Sequence, residues 1–306
     1  MAASAYLIQN GYKVDVYEKN DRAGGLMIYG IPNFKLDKKI VERRTEWLTD
    51  SGVVFNLNTE VGKNISFQDL EKDYDAILIA TGVYKARQLD IDTSTVNNSI
   101  PALDFLIESN RTGLGDSPSK NKYLTAKDKH VVVIGGGDTA MDCVRTAIRQ
   151  QAKEVTCLYR RNKENMPGSA REVLNAEQEG IKFNWLSVPS KIISDSATAT
   201  SMTYKVATLG EVDESGRRKP IDTGVEKQIK SDLIIQALGF EPEDLNHNFK
   251  TNIELTSWKT VKVDFKKFQT SNPKIFAAGD IVRGASLVVW AIHDGREVAK
   301  SIHNFL

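Results

Sequence analysis

A short apolar segment that leads directly into a glycine-rich turn limits the fold of this 306-residue chain more than any other feature. Residues 130–134 have the continuous apolar character of a strand buried on both faces of a parallel sheet. The pattern Gly135-x-Gly137-x-x-Ala140 follows at once and opens a helix. In a βαβ unit the first glycine permits a tight turn, the second lets a pyrophosphate approach the backbone, and the third position keeps the helix close to the strand. The segment therefore predicts a dinucleotide-binding unit whose helix N-terminus holds the phosphates. Its loop consists of Gly135, Gly136, Gly137, Asp138, Thr139 and Ala140.

The strand that follows this helix ends in two arginines, Arg160 and Arg161, about 25 residues after Gly135. At this position a carboxylate bonds to a ribose 2′-hydroxyl, whereas an arginine accommodates a 2′-phosphate. Because a guanidinium group binds a phosphate through two parallel hydrogen bonds, the pair predicts NADP(H). The alternative is a solvated arginine pair that binds no ligand.

An earlier strand has the opposite signature. Residues 12–18 alternate as a strand does and end in Glu18, which suits a free ribose 2′-hydroxyl, as in FAD or NAD. Gly24 and Gly25 follow, and glycines let a ligand lie close to the backbone. Each feature alone is explained by a structural turn.

Three further residues follow apolar strands and belong to the same carboxyl edge, where sheets of this type bind ligands. Gly82 ends one buried strand, and Gly279 with Asp280 ends another. Asp280 has a side chain that could accept a hydrogen bond from a ribityl hydroxyl. A helix beginning near Leu287 could direct the positive end of its dipole at a flavin ring. Taken together with Glu18, these residues predict a flavin site beside the nicotinamide site.

The alternation of strands and helices predicts an α/β fold with two Rossmann-like, doubly wound, three-layer domains of the glutathione-reductase type. Because the last strand and helix resemble the first unit more than the second, we expect the second domain to be inserted in the first. The predicted FAD-binding domain covers residues 1–107 and 246–306, and the NADP(H)-binding domain covers 125–245. Residues 108–129 are polar and predict a linker, and residues 182–230 predict antiparallel strands with a turn at Glu214-Ser215-Gly216.

Composition excludes several classes of protein. The chain has 41 Lys and Arg against 40 Asp and Glu, and this balance argues against a nucleic-acid binder. No apolar run approaches the ~20 residues that span a bilayer, so no membrane is expected. Its two cysteines, Cys143 and Cys157, cannot ligate an iron–sulfur cluster, which takes four thiolates. They indicate a reducing compartment, and we expect a cytoplasmic protein without a metal site.

The segment Met166-Pro167-Gly168-Ser169-x-x-Glu172 has two interpretations. It could be a capping box, with Ser169 as the N-cap of a helix and Glu172 bonding back to it. It could instead contribute to the nicotinamide site. The sequence does not decide between them.

Several long motifs resemble a known family, the small subunits of NADPH-dependent glutamate synthases. They are Gly135-Gly136-Gly137-Asp138-Thr139-Ala140-Met141-Asp142-Cys143-Val144-Arg145, Tyr159-Arg160-Arg161, Asn165-Met166-Pro167-Gly168-Ser169, Tyr29-Gly30-Ile31-Pro32-x-Phe34-Lys35-Leu36-Asp37-Lys38, and the segment from Gln269 to Gly284. The resemblance covers essentially the whole chain. The wider family also holds dihydropyrimidine dehydrogenase and ferredoxin-linked NADPH reductases.

The resemblance implies that NADPH binds the second domain, that FAD binds the first, and that a hydride passes from one to the other. Electrons would then reach the large subunit, which makes glutamate from 2-oxoglutarate and glutamine-derived ammonia. Since hydride transfer needs positioning more than a side-chain base, no acid–base residue is named. The residues that the family motifs would place around FAD are Glu18, Gly24, Gly25, Leu26, Thr81, Gly82, Gly279, Asp280 and Leu287.

One departure from the family pattern lies at the beginning of the chain. Family members carry a cysteine-rich cluster domain and then a strand with a glycine-rich loop for the FAD pyrophosphate, whereas Met1 follows the position of that loop. We therefore expect weak or absent FAD binding by this chain, with the NADP(H) domain intact. Three hypotheses stay open: a reductase subunit completed by an upstream cluster-bearing polypeptide, an NADP(H)-binding fragment without turnover, and another reductase of the wider family.

Overall fold

The computed structural model describes residues 1–212, 216 and 218–306. The predicted turn at 214–216 lies outside these residues except for Gly216. In chain order the strands are β1 (Asp15–Tyr17), β2 (Val54–Asn56), β3 (Ile77–Ile79), β4 (Lys85–Ala86), β5 (Ser99–Pro101), β6 (His130–Ile134), β7 (Glu154–Leu158), β8 (Lys182–Asn184), β9 (Ser187–Asp195), β10 (Thr198–Val212), β11 (Arg218–Lys230), β12 (Leu233–Gln236), β13 (Phe240–Glu241) and β14 (Ile275–Ala277).

The helices lie between these strands and after the last of them. They are α1 (Ala2–Gln9), α2 (Leu26–Tyr29), α3 (Lys38–Asp50), α4 (Phe67–Asp73), α5 (Ala102–Gly113), α6 (Asp138–Arg149), α7 (Ala170–Gln178), α8 (Leu245–Phe249), α9 (Asp280–Arg283) and α10 (Val288–Phe305), with short 3₁₀ turns at Lys122–Leu124 and Lys163–Asn165. None of the helices in the described part of the chain is both long enough and apolar enough to cross a bilayer.

The chain forms two compact units. Unit 1 contains residues 1–28, 37–85 and 240–306, and unit 2 contains residues 29–36 and 86–239. Unit 2 is thus inserted in unit 1, as the sequence predicts. Residues 29–36 and 86–107 belong to unit 2 by their contacts, whereas the sequence placed them in the predicted first domain. The domains as ligand-binding units stay a prediction.

Unit 2 is built on a five-stranded parallel sheet in the order β5-β12-β6-β7-β8. β6 lies at its centre because four of its five residues are apolar and buried on both faces, as its sequence predicts. Successive residues of β6 pack on opposite faces: Val131 and Val133 pack against α6 and its neighbouring helices. Val132 and Ile134 pack against the antiparallel sheet β9-β10-β11 through Met202. The three layers are therefore helices, a parallel sheet and an antiparallel sheet.

Unit 1 holds two separate parallel strand pairs among its described residues, β1 with β2 and β3 with β14. Helix α1 packs between their cores. Ala3 belongs to a cluster with Val298 and Ala299 of α10, and Ala5 belongs to a second cluster with Leu48 of α3. The apolar, alanine-rich sequence of α1 gives it a surface that can pack on two sides.

Two predictions about local structure are wrong. Residues 108–113 continue α5 and do not begin the linker. They form the last turns of an amphipathic helix, in which Thr112 is exposed and Asn110 is buried, as are Phe105 and Leu106. β8 also differs from the prediction of antiparallel strands over residues 182–230, because it pairs in parallel with β7. It closes a βαβ unit through α7, and such units return in parallel.

Candidate functional site

The three glycines of the loop between β6 and α6 have different surroundings. Gly135 adopts φ +147°, and a Cβ added to it would lie 2.1 Å from the carbonyl oxygen of Ala237. A Cβ at Gly136 would lie 2.3 Å from the ring of Tyr159. A Cβ at Gly137 would meet nothing within 4 Å. Gly135 and Gly136 therefore allow close packing, whereas Gly137 leaves open space over the start of α6.

The other end of the motif fits the same arrangement. Ala140 is fully buried where α6 packs on the sheet. Gly137 is the N-cap of α6 and makes no side-chain cap, and Asp138 and Thr139 form its first turn. Free amides at a helix start bind phosphate groups. The loop thus has a tight turn, an open approach and a helix start, which are the features that a pyrophosphate needs.

Residues 166–169 lie against this loop. The amide of Gly168 donates to the carbonyl oxygen of Gly136 at 2.9 Å. The amide of Ser169 donates to Oδ1 of Asp138 at 2.9 Å. Ser169 is the N-cap of α7 but makes no side-chain cap bond. The capping-box interpretation is therefore wrong, because the carboxylate of Glu172 is bound by Lys35 and Arg145 instead.

The two arginines after β7 differ in environment. Arg160 is exposed, whereas Arg161 is buried, with only 5% of its surface accessible. Nε of Arg161 donates to the carbonyl oxygen of Arg218 at 2.7 Å, and its own carbonyl oxygen accepts from the amide of Leu186. Arg161 therefore ties the end of β7 to the start of β11. Both remain predicted NADP(H) residues, with Arg160 the one whose side chain reaches solvent.

In unit 1, Tyr84 lies beside two of the glycines predicted for FAD. A Cβ at Gly25 would lie 3.2 Å from the Tyr84 hydroxyl oxygen, and one at Gly82 would lie 3.0 Å from its ring. Burial raises the pKa of Tyr84 to about 12, and the charges of Glu18 and Asp280 act in the same direction. Gly25 and Gly82 thus lie against one aromatic side chain, and the carboxylates of Glu18 and Asp280 are near enough to influence its ionisation. Nothing in the sequence motifs indicated this tyrosine.

The remaining predicted FAD residues have local partners or exposed positions. Oε1 of Glu18 accepts from the amide of Asn20 at 2.9 Å. Gly24 packs on α3, since a Cβ there would lie 2.8 Å from Val41. Oδ1 of Asp280 accepts from the hydroxyl of Ser286 at 2.8 Å. The others are Leu26, which begins α2, Thr81, which is exposed, Gly279, which is the N-cap of α9, and Leu287, which is the N-cap of α10 and 59% exposed.

Both cysteines are buried in the core of unit 2. Burial raises the pKa of Cys157 to about 12 and also raises the pKa of Cys143, so neither is a reactive thiolate. In the described residues no group of three or more His, Cys, Asp or Glu side chains is arranged to hold a metal ion.

Comparison with known proteins gives three findings. Residues 1–295 match the family described as pyridine nucleotide-disulphide oxidoreductase. Over its full length the chain is 50% identical to the glutamate synthase [NADPH] small chain of Azospirillum brasilense and 51% identical to a putative glutamate synthase [NADPH] small chain of Cereibacter sphaeroides. It spans 64% and 74% of those proteins. Among solved structures, Mycobacterium tuberculosis FprA in complex with NADPH aligns with a TM-score of 0.78 at 18% identity, over 99% of this chain and 81% of FprA, which shows a shared fold.

Proposed function

Because the chain belongs to the pyridine nucleotide-disulphide oxidoreductase family and is a homologue of the glutamate synthase [NADPH] small chains, we propose that it is an NADPH-oxidising flavin oxidoreductase of that type. The observation that carries the proposal is the loop from Gly135 to Ala140. It combines two tightly packed glycines with open space over Gly137 at the start of α6.

The residues of unit 2 fit NADP(H). The amides at the start of α6 would bind the pyrophosphate, and Gly137 would let it approach. The exposed Arg160 would bind the 2′-phosphate in bidentate fashion. Arg161 would contribute indirectly, because it fixes the strand end from which Arg160 extends. This division of roles predicts that Arg160 discriminates NADP(H) from NAD(H).

The residues of unit 1 fit FAD less well. Glu18 and Asp280 have carboxylates that suit ribose and ribityl hydroxyls, and the helix start at Val288 suits an electron-rich ring. However, the ring of Tyr84 lies against Gly25 and Gly82, the two positions that would let a ligand approach the backbone. FAD binding along this edge therefore requires Tyr84 to move. This observation also supports the second candidate function, NADP(H) binding without turnover.

The proposed activity needs positioning and exclusion of water. FAD, when bound, supplies a group that accepts a hydride and releases single electrons. The chain itself would fix the nicotinamide nucleotide through its pyrophosphate and 2′-phosphate. By homology we propose the glutamate synthase large subunit as the electron-accepting partner, the synthesis of glutamate from 2-oxoglutarate and glutamine as the overall reaction, and the cytoplasm as its place.

The first experiment is a calorimetric titration of the purified chain with NADP⁺ and with NAD⁺. We expect NADP⁺ to bind at least ten times more tightly. Arg160→Gln should remove this preference, and the matched control Lys163→Gln should keep it, because Lys163 is engaged by Glu177 on the side of α7. Failure of the wild-type chain to bind NADP⁺ would reject the proposal.

The second experiment separates turnover from binding. NADPH oxidation is followed with ferricyanide as acceptor, with and without added FAD. FAD-dependent oxidation supports the oxidoreductase. NADP⁺ binding without oxidation at saturating FAD supports the binding protein and rejects an independent reductase.

A further inference from the structure

Lys35 bridges two helices of unit 2 that begin beside the dinucleotide loop. Its Nζ lies 2.8 Å from Oδ1 of Asp142 on α6 and 3.1 Å from Oε2 of Glu172 on α7. The side chains of all three residues are at least three-quarters buried. A lysine between two partly buried carboxylates has little freedom, because its departure would take a cation from Asp142 and leave Glu172 with Arg145.

The two carboxylates lie one turn or less from the helix starts. Asp142 is one turn after Asp138 in α6, and Glu172 is in the first turn of α7. Asp138 accepts the amide of Ser169 at 2.9 Å, so the starts of the two helices are also joined directly. Arg145 of α6 also binds Glu172. Lys35 therefore adds to the connections between α6 and α7 at the ends of the helices that lie beside the loop proposed to hold the pyrophosphate.

The segment that carries Lys35, residues 29–36, is fixed on unit 2 at further points. The carbonyl oxygen of Tyr29 accepts from Nδ2 of Asn110 at 2.8 Å in a buried position. The ring of Phe34 lies 3.9 Å from the guanidinium carbon of Arg149. Gly113 leaves room for the segment, since a Cβ there would lie 1.9 Å from Asn33. The segment is reached from unit 1 at both of its ends, yet all of these contacts are with unit 2.

Lys35 favours the ionised state of Asp142 against burial and two neighbouring carboxylates. Burial, Glu172 and Asp138 raise the pKa of Asp142 and Lys35 lowers it, and the net result is a pKa of about 6. Arg145, on the same helix, is engaged by Glu172 and Glu179. Without Lys35 the Asp142 carboxyl would lose this cationic partner, and its pKa would rise further.

We propose that Lys35 is a positioning residue for NADP(H): by binding Asp142 and Glu172 together, it holds α6 and α7 at the spacing in which the Gly135–Ala140 loop accepts a pyrophosphate. The inference rests on the proposed NADP(H) binding. Linkage makes the effect reciprocal, so that a bound nucleotide also stabilises segment 29–36 on unit 2. Because the pyrophosphate is common to both nucleotides, Lys35 supports NADP⁺ and NAD⁺ equally and does not determine the choice between them.

The test is calorimetric titration of Lys35→Met, Lys35→Arg and the exposed control Lys63→Met with NADP⁺ and NAD⁺. We expect about a tenfold rise in Kd for both nucleotides in K35M, a rise of less than threefold in K35R, and no change in K63M. If K35M is poorly folded, the double variant K35M/D142N is used in its place, because it also removes the carboxyl that K35M leaves without its lysine. If the wild type binds and the folded Lys35 variant binds with the same Kd, the inference is overturned. If the wild type does not bind, the proposed function itself is rejected.

Amide hydrogen exchange distinguishes a positioning lysine from one that serves only to stabilise the fold. In the wild type, NADP⁺ should slow exchange of the amides in residues 29–36, and in K35M it should not. Equal slowing in the two proteins would overturn the coupling. A lysine that served folding alone would lower the melting temperature and leave the slowing by NADP⁺ intact.

Discussion

Adding a single methyl group at Gly137 should separate nucleotide binding from folding. Gly137 has φ −89° and ψ 177°, a conformation that alanine adopts without strain, and a Cβ there meets nothing within 4 Å. The fold of Gly137→Ala should therefore be unchanged. The methyl group would occupy the space through which a pyrophosphate reaches the amides of α6.

The size of the effect follows from the bonds that the methyl group prevents. A hydrogen bond from an amide to a charged phosphate contributes about 1.5–3 kcal/mol. Losing one such bond raises Kd by roughly 10- to 150-fold, since about 1.4 kcal/mol corresponds to a factor of ten. The neighbouring Gly136→Ala serves as the contrast, because its methyl group would overlap the ring of Tyr159 and lower stability.

The assay measures the two properties separately on each variant, with calorimetric titration for NADP⁺ and thermal unfolding for stability. G137A should lose affinity at an unchanged melting temperature, and G136A should lose several degrees. NADP⁺ affinity of G137A equal to that of the wild type would refute the assignment of the pyrophosphate to this loop.

Three further predictions concern charge, access and pH. Arg160→Gln should weaken NADP⁺ binding at least tenfold and leave NAD⁺ unchanged in the same titration, and equal losses for both would count against a 2′-phosphate contact. Tyr84→Ala should bind FAD more tightly than Tyr84→Phe in a fluorescence-quenching titration, because only the alanine removes the ring beside Gly25 and Gly82; identical affinities would argue that the ring does not obstruct the site. Hydrogen bonds from Arg149, and to a smaller extent from Arg145, lower the pKa of Glu179 to about 2. The ionised carboxylate therefore stabilises the fold fully above its unfolded pKa of about 4.3, and this contribution is lost as the pH falls towards 2. Glu179→Gln should accordingly lower the melting temperature at pH 7 and have little effect near pH 2, and a deficit that persisted there would contradict the ion-pair explanation.

The sequence was sufficient to predict the strand, glycine turn and helix of unit 2 because their signals are local. Four apolar residues in a row, a glycine turn and a helix start lie within about a dozen positions, and β6 and α6 form where this pattern predicts. The order of the domains also followed from local patterns, since the alternation of strands and helices repeats and its last part resembles its first.

What the sequence did not predict depends on distant partners. Glu172 has the spacing of a capping box, yet Lys35 and Arg145 bind it, and both lie far from it in the sequence. Tyr84 gave no signal because its position against Gly25 arises only when separate strand ends converge. The polar residues of α5 resembled a linker for a related reason, since only tertiary packing shows that Phe105 and its neighbours are buried on the other side.

The pairing of β3 with β14 has a consequence for the order in which the molecule is made. Ile77 pairs with Ile275, so the whole of residues 86–239 is synthesised between the two halves of this ladder. During translation the five-stranded sheet of unit 2 can close while β14 is still unmade, and its early closure shortens the loop that β3 must later span. Folding on the ribosome would thus complete unit 2 first. A chain interrupted before residue 275 would keep that unit while leaving β3 with an unpaired edge, which is a site for aggregation.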